Sequence, residues 1–235
     1  MPGNLDKPRS VCYTGNTIPA RSVCRLKGNK TVEHTELFRQ ALPVSFPLTD
    51  DARASALREG VRQYGFHAAL TLTARPACAK LRIAGRHVFR VYINRRIVLN
   101  GPARTAHGYA RVDELDVTAF LHHGVNHLAV EMLVYGDVYN KYSNDCTLEP
   151  DGFLLCELEA DGQVLTATGG ADWKACRIAA RVANASRISH SREASEIYTL
   201  EPGWDGWIMG EADGTHGFCR TAPASAPRLL PHTAA

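Results

Sequence analysis

Period-2 alternation of apolar and polar residues runs through most of the chain. In FHAALTLTA at 66–74, Phe66, Ala68, Leu70, Leu72 and Ala74 share one face, opposite His67, Ala69, Thr71 and Thr73. That pattern predicts a half-buried strand. Leu81, Arg82 and Ile83 repeat it briefly, and 87–93 brings Phe89, Val91 and Ile93 together. The stretch 128–134 groups Leu128, Val130, Met132 and Val134 and turns Glu131 outward. In 153–159, Glu157 and Glu159 oppose Leu154, Cys156 and Leu158, and the segments 164–168 and 173–182 continue the series. Turn signals separate the runs: AGR at 84–86, NGP at 100–102, GVN at 124–126 and Asp161-Gly162. One helix is predicted, over 50–59, opened by Thr49 or Asp50 as N-cap and closed by Gly60. Strands at this spacing, with no βαβ rhythm and no internal repeat, predict an all-β, antiparallel β-sandwich with at most one or two short helices. Its expected limits are 31–220, after a loose N-terminal arm over 1–30 and before a Pro/Ala-rich linker or truncated end over 221–235.

Composition narrows the function classes. The chain has 235 residues, 27 Lys+Arg against 24 Asp+Glu, and a formal net charge of +3, too mild for a dedicated nucleic-acid binder. At 45% hydrophobic and 22% charged residues it reads as globular, and a domain of about 200 residues builds a core without disulfides. No apolar run is long enough for a membrane span, and the N-terminus carries no signal-peptide core. The seven cysteines are odd in number and lack C-x-x-C spacing, so they are read as reduced thiols in a cytoplasmic protein.

No G-x-S-x-G, Walker A, G-x-G-x-x-G or H-E-x-x-H stretch occurs. A glycosidase needs two carboxylates flanking one bond. Glu131, Glu157 and Glu159 are read instead as solvated charges on outward strand faces, and Asp113, Glu114 and Asp116 as an acidic turn. His122, His123 and His127 are the most metal-like group, yet they straddle a turn and lack an evident fourth ligand. Two loops combine aromatic rings with amides and carboxylates, the groups that meet a sugar's C–H faces and hydroxyls. One holds Tyr139, Asn140, Tyr142, Asn144 and Asp145; the other holds Trp204, Asp205 and Trp207. These eight residues are the carbohydrate-binding candidates, with tight-loop building and core packing as the competing roles.

An ordered series of motifs begins with YINRRIVLNGPAR at 92–104 and continues through HGYARVD at 107–113, DVT at 116–118, FL at 120–121, GVN at 124–126 and LAVE at 128–131. The series resembles the N-terminal β-sandwich region of bacterial α-L-rhamnosidases, the family 78 glycoside hydrolases. FLLCE at 153–157, Asp161-Gly162, Thr168-Gly169 and DWK at 172–174 complete a likeness spanning roughly 37–210. Arg95 departs from it, since the family usually has Gly after Asn94; either the hairpin differs or Asn94 takes the left-handed position. Gly124 suits a left-handed turn, the Asn126 amide can tie that turn's backbone, and the DVT oxygens can cap exposed amides. The resemblance implies a jelly-roll, galactose-binding-domain-like sandwich. It also implies that hydrolysis belongs to an (α/α)6 barrel, whose acid and base carboxylates have no matching positions here. The chain is expected to stop at a module boundary.

Three functions are compatible with this reading. The first is a non-catalytic sandwich module that packs against the catalytic (α/α)6 domain of a rhamnosidase-like enzyme and contacts a rhamnose-containing glycan. The second is a free-standing carbohydrate-binding module, stabilised by a structural calcium. The third is a small enzyme using His107 or the His122, His123 and His127 group.

Overall fold

The computed structural model describes residues 37–49, 51–52, 61–103, 105–106, 108–135, 152–182, 185–186, 195–211 and 217–231. The strands are, in chain order, β1 (Val44–Ser45), β2 (Val61–Leu72), β3 (Ala79–Arg86), β4 (Val88–Ile93), β5 (Arg96–Gly101), β6 (Tyr109–Asp116) and β7 (Gly124–Tyr135). Then follow β8 (Phe153–Ala160), β9 (Gln163–Ala167), β10 (Lys174–Arg177), β11 (Cys219–Arg220), β12 (Ala222–Pro223) and β13 (Arg228–Pro231). Two sheets form, ordered β12-β1-β8-β3-β6-β13, with β9 also on β8, and β11-β10-β2-β7-β4-β5. Their pairings are antiparallel except β13 on β6. The chain is thus an all-β two-sheet sandwich, and the described helical elements are short.

The alternation places the core where expected. Phe66 and Ala68, Leu81 and Ile83, Phe89, Val91 and Ile93, Leu128, Val130, Met132 and Val134, and Leu154, Cys156 and Leu158 meet in one buried cluster between the sheets. Strand boundaries moved where a glycine had suggested a stop. Gly85 lies inside β3, where the Phe89 ring fills the space a side chain would need, and the strand ends only at Arg86 before the chain passes to the second sheet. Asp161 and Gly162 (φ 49° and 83°) make the expected two-residue reversal between β8 and β9. Only residues 51–52 of the predicted helix are described, and they are helical.

The polar motifs act in the fold as their chemistry suggests. Asp116 Oδ1 accepts the Thr118 backbone N–H at 2.9 Å, and Thr118 Oγ1 accepts that of Ala79 at 2.7 Å. Asn126, fully buried, accepts the His122 N–H at 3.0 Å and donates to the carbonyls of His122 and Gly124. Asn94 donates to Asn126 Oδ1 at 2.9 Å and joins the same network.

Two further clusters cover the outer faces. Phe38, Ala41 and Leu229 cap the first sheet over Phe153, Leu155 and Val112. Trp207 and Ile208 cap the second over Tyr92, Ala129 and Cys176. Strand pairing therefore continues beyond residue 220, where the sequence pattern had placed the end of the sandwich. Ala222–Pro223 pairs with β1, and β13 adds to β6 with Leu229 buried. A Pro/Ala-rich composition hid these strands because edge positions tolerate proline.

Candidate functional site

The outer face of the second sheet gathers a cluster of polar side chains. Successive outward positions on β2 and β7 carry Gln63, Gly65 and His67, and His127, Ala129 and Glu131, while β4 adds Arg90 and Tyr92. The segment 195–211 crosses this face, with a 3-10 turn at Gly206–Met209. Trp207 from that turn lies on Gly65 so closely that a Cβ at 65 would be 2.5 Å from its ring. Its edge meets Tyr92 at a centroid separation of 5.9 Å.

Trp207 is consequently a core residue, 1% exposed, and offers no face to a sugar. Trp204 differs. It is half-buried, and its ring centroid is 5.8 Å from that of Tyr198. Asp205, next in the chain, accepts a hydrogen bond from Arg95 Nη1 at 2.9 Å. Trp204, Asp205, Tyr198 and Arg95 thus form one partly exposed patch. Tyr139, Asn140, Tyr142, Asn144, Asp145 and His107 lie outside the described residues.

Beneath Tyr198 sits Glu131, 5% exposed, a correction to its reading as a solvated charge. It accepts hydrogen bonds from Gln63 Nε2 at 2.5 Å, Tyr92 Oη at 2.8 Å and Tyr198 Oη at 3.2 Å, with Arg90 Nη1 at 3.5 Å. Burial, then the Glu131 charge, pushes both phenols above their ordinary range, so they remain donors. Glu157 is corrected likewise. It is 1% exposed on the outer face of the first sheet and accepts the backbone N–H groups of Arg39, Gln40 and Ala41 at 3.0, 2.7 and 3.1 Å. Glu159 is mostly covered too and pairs with Arg82 at 2.9 Å. The covering segments lack periodicity, so alternation alone could not reveal them. Glu131 and Glu157 lie on opposite outer faces and do not flank one cleft. Asp113, Glu114 and Asp116 do not form a turn but lie in β6: Asp113 is buried, Glu114 pairs with Lys80 and Arg82, and Asp116 caps the chain where the strand ends.

The three metal-like histidines separate. His122 Nδ1 contacts the His123 carbonyl at 2.8 Å, whereas His127 Nδ1 meets Nε2 of His67, 3.0 Å away on β2. Among the described residues no three His, Cys, Asp or Glu side chains converge as metal ligands. Burial, reinforced by His127 and Lys174, lowers His67 from 6.5 to about 4.

Solved α-L-rhamnosidase structures contain a region with this fold. The GH78 family rhamnosidase of Bacillus sp. GL1 superposes with a TM-score of 0.62 at 25% identity, covering 82% of this chain and 20% of that one. This chain resembles the N-terminal, non-barrel region of GH78-type α-L-rhamnosidases. The α-L-rhamnosidases of Aspergillus terreus (TM-score 0.59, 19% identity, 86% of this chain and 23% of that one) and Dictyoglumus thermophilum (0.57, 14%, 81% and 22%) share the fold. The chain therefore spans about a fifth of the length of these enzymes. No protein-family model and no curated protein matches it.

Of the residues in this patch, the sequence singles out Trp204 and Asp205 as candidates but not Tyr198 or Arg95. Tyr198 stands in a segment without periodicity. Arg95 carried a signal, as an arginine in a turn position that favours glycine.

Proposed function

We propose that this chain is a non-catalytic accessory sandwich of an α-L-rhamnosidase-like glycoside hydrolase, which packs against a catalytic (α/α)6 domain and holds carbohydrate at the Tyr198–Trp204 patch. The observation that carries this reading is the match to one end of a much longer rhamnosidase over 82% of this chain. The placement of Glu131 and Glu157 on opposite faces supports a non-catalytic role, because paired glycosidase carboxylates share one cleft. A half-exposed aromatic pair beside an ion pair supports sugar contact. The four free thiols among the described residues support a reducing, cytoplasmic setting. No described helix is long and apolar enough to cross a membrane.

The test is an assay of the chain alone on 4-nitrophenyl α-L-rhamnoside, paired with co-expression beside a rhamnosidase barrel deprived of its own sandwich. The expected result is no hydrolysis by the chain alone and a folded, active barrel in its presence. Hydrolysis by the chain alone, or a barrel indifferent to it, contradicts the proposal. The patch also favours a second reading, a free-standing carbohydrate-binding module. That reading predicts sugar binding without any effect on a barrel.

A further inference from the structure

Two imidazoles meet on the outer face of the second sheet, apart from the Glu131 network and the Tyr198–Trp204 patch. His67 Nε2 on β2 and His127 Nδ1 on β7 are 3.0 Å apart, and their ring centroids are separated by 5.3 Å. At that distance one nitrogen donates its proton and the other accepts it through a lone pair. A first added proton enters the remote nitrogen of the donating ring, so the contact survives as a charge-assisted hydrogen bond. A second proton has only the accepting nitrogen to occupy. Two N–H groups and two positive charges then oppose each other across a gap that holds one proton. The pair therefore titrates as a unit in two steps, and only the second is disruptive.

Packing decides which element gives way. β2 and β7 are paired along their whole length, Val61–Leu72 on Gly124–Tyr135. The His67 ring is 6% exposed and is closed over by Phe218 and Gly210. A Cβ at 210 would lie 2.6 to 3.1 Å from three atoms of that ring, so the imidazole cannot tilt toward Gly210 without lifting it. Gly210 (φ 75°) ends the 3-10 turn at Gly206–Met209, and among the described residues no strand pairs with this turn. Around the histidines stand Lys174 of β10, across from His67, and Arg220 of β11, across from Lys174. The others are His122 before β7, Glu211 after Gly210, and Arg95, which Asp205 engages. Glu131, further along β7, is engaged by Gln63, Tyr92 and Tyr198. Glu211 favours a proton on His127, whereas burial, then His127 and Lys174, resist one on His67.

We infer that the His67–His127 contact is a proton-operated latch, which keeps the turn at 206–210 seated on the second sheet and releases it when both rings are charged. This holds whatever the neighbouring patch binds. The test is hydrogen exchange of the whole chain from pH 7 down to 4, expressed as protection factors so that the intrinsic pH dependence cancels. The reporters are the amides of Ile208, Gly210 and Glu211, which donate to the carbonyls of Asp205, Trp207 and Gly206. Their protection should fall by roughly tenfold or more toward pH 4, while the amides of Phe66 and Val130 in the paired strands keep theirs. His127→Gln retains a donor and an acceptor but cannot charge, so its turn should stay protected at pH 4. Lys174→Gln, an exposed change, removes a cation facing His67 and should move the release to higher pH. The latch is refuted if the wild-type turn stays protected at pH 4, as it would if His127 simply swung into solvent. Release of the turn in His127→Gln at the wild-type pH, or an equal loss across β2 and β7, refutes it too.

Discussion

Asn94 and Asn126 show how single side chains set the geometry on which the site depends. Asn94 shapes the turn that carries Arg95, and its amide is held by Asn126 and by the Phe120 carbonyl at 3.0 Å. Its Oδ1 also accepts the His127 N–H at 2.9 Å, which ties the turn to β7. A few residues along β7, the His67–His127 contact carries a pH signature. Gly210 lies against the His67 ring, where a Cβ would be only 2.6 Å away, and Phe218 packs at a centroid separation of 5.9 Å. The charges bearing on the pair are Lys174 on β10, His122 in the preceding turn, and Glu211, which favours protonation of His127. Because His67 titrates near 4 in the fold and near 6.5 when unfolded, the unfolded chain binds its proton first. Stability contributed by neutral His67 is complete above about pH 6.5, falls through the window down to 4, and is gone below it. The shift corresponds to roughly 3–4 kcal/mol. Thermal melts of wild type and His67→Leu from pH 4 to 7.5 should diverge in slope, with the variant flatter; parallel curves would show that this imidazole is not the sensor.

The elements divide into those with a strong period and those held by specific contacts. β2, β4, β7 and β8 were legible because one face of each meets the inter-sheet core. The segments 37–41, 195–211 and 222–231 were not. They cover the outer faces with isolated anchors such as Phe38, Trp207 and Leu229, which no alternation predicts. This is also why three carboxylates expected in solvent are mostly covered. Residues 39–41 depend on one of them, Glu157, whose two oxygens take three backbone N–H groups. Glu157→Ala removes the acceptor of those three donors, of which Ala41 is buried, and should cost about 2–4 kcal/mol. Hydrogen exchange checks where the loss falls: the amides of Arg39, Gln40 and Ala41 should lose protection before those of β2 and β7. Uniform loss across both sheets would mean that Glu157 supports the whole sandwich rather than this segment.

At the scale of the molecule, the likeness to one end of an enzyme five times its span gives the sandwich a context, while the exposed patch gives it chemistry of its own. The motif series in the sequence was sufficient to reach the architecture, because its Asn, Asp and Gly positions are the turn-setting residues of the fold. The candidate site was only half legible. Trp204 and Trp207 are three residues apart and look alike in sequence, and only the approach of Trp207 to Gly65 separates a core ring from a surface one. The three tryptophans make the decisive measurement direct, since Trp173 and Trp207 are both 1% exposed and Trp204 is not buried. In a ¹H–¹⁵N spectrum titrated with methyl α-L-rhamnopyranoside, the Trp204 indole N–H should shift saturably, with the Tyr198 and Asp205 amides, while the indoles of Trp173 and Trp207 stay in place. A spectrum unmoved by the sugar, or one in which shifts appear elsewhere and spare Trp204, would contradict the account.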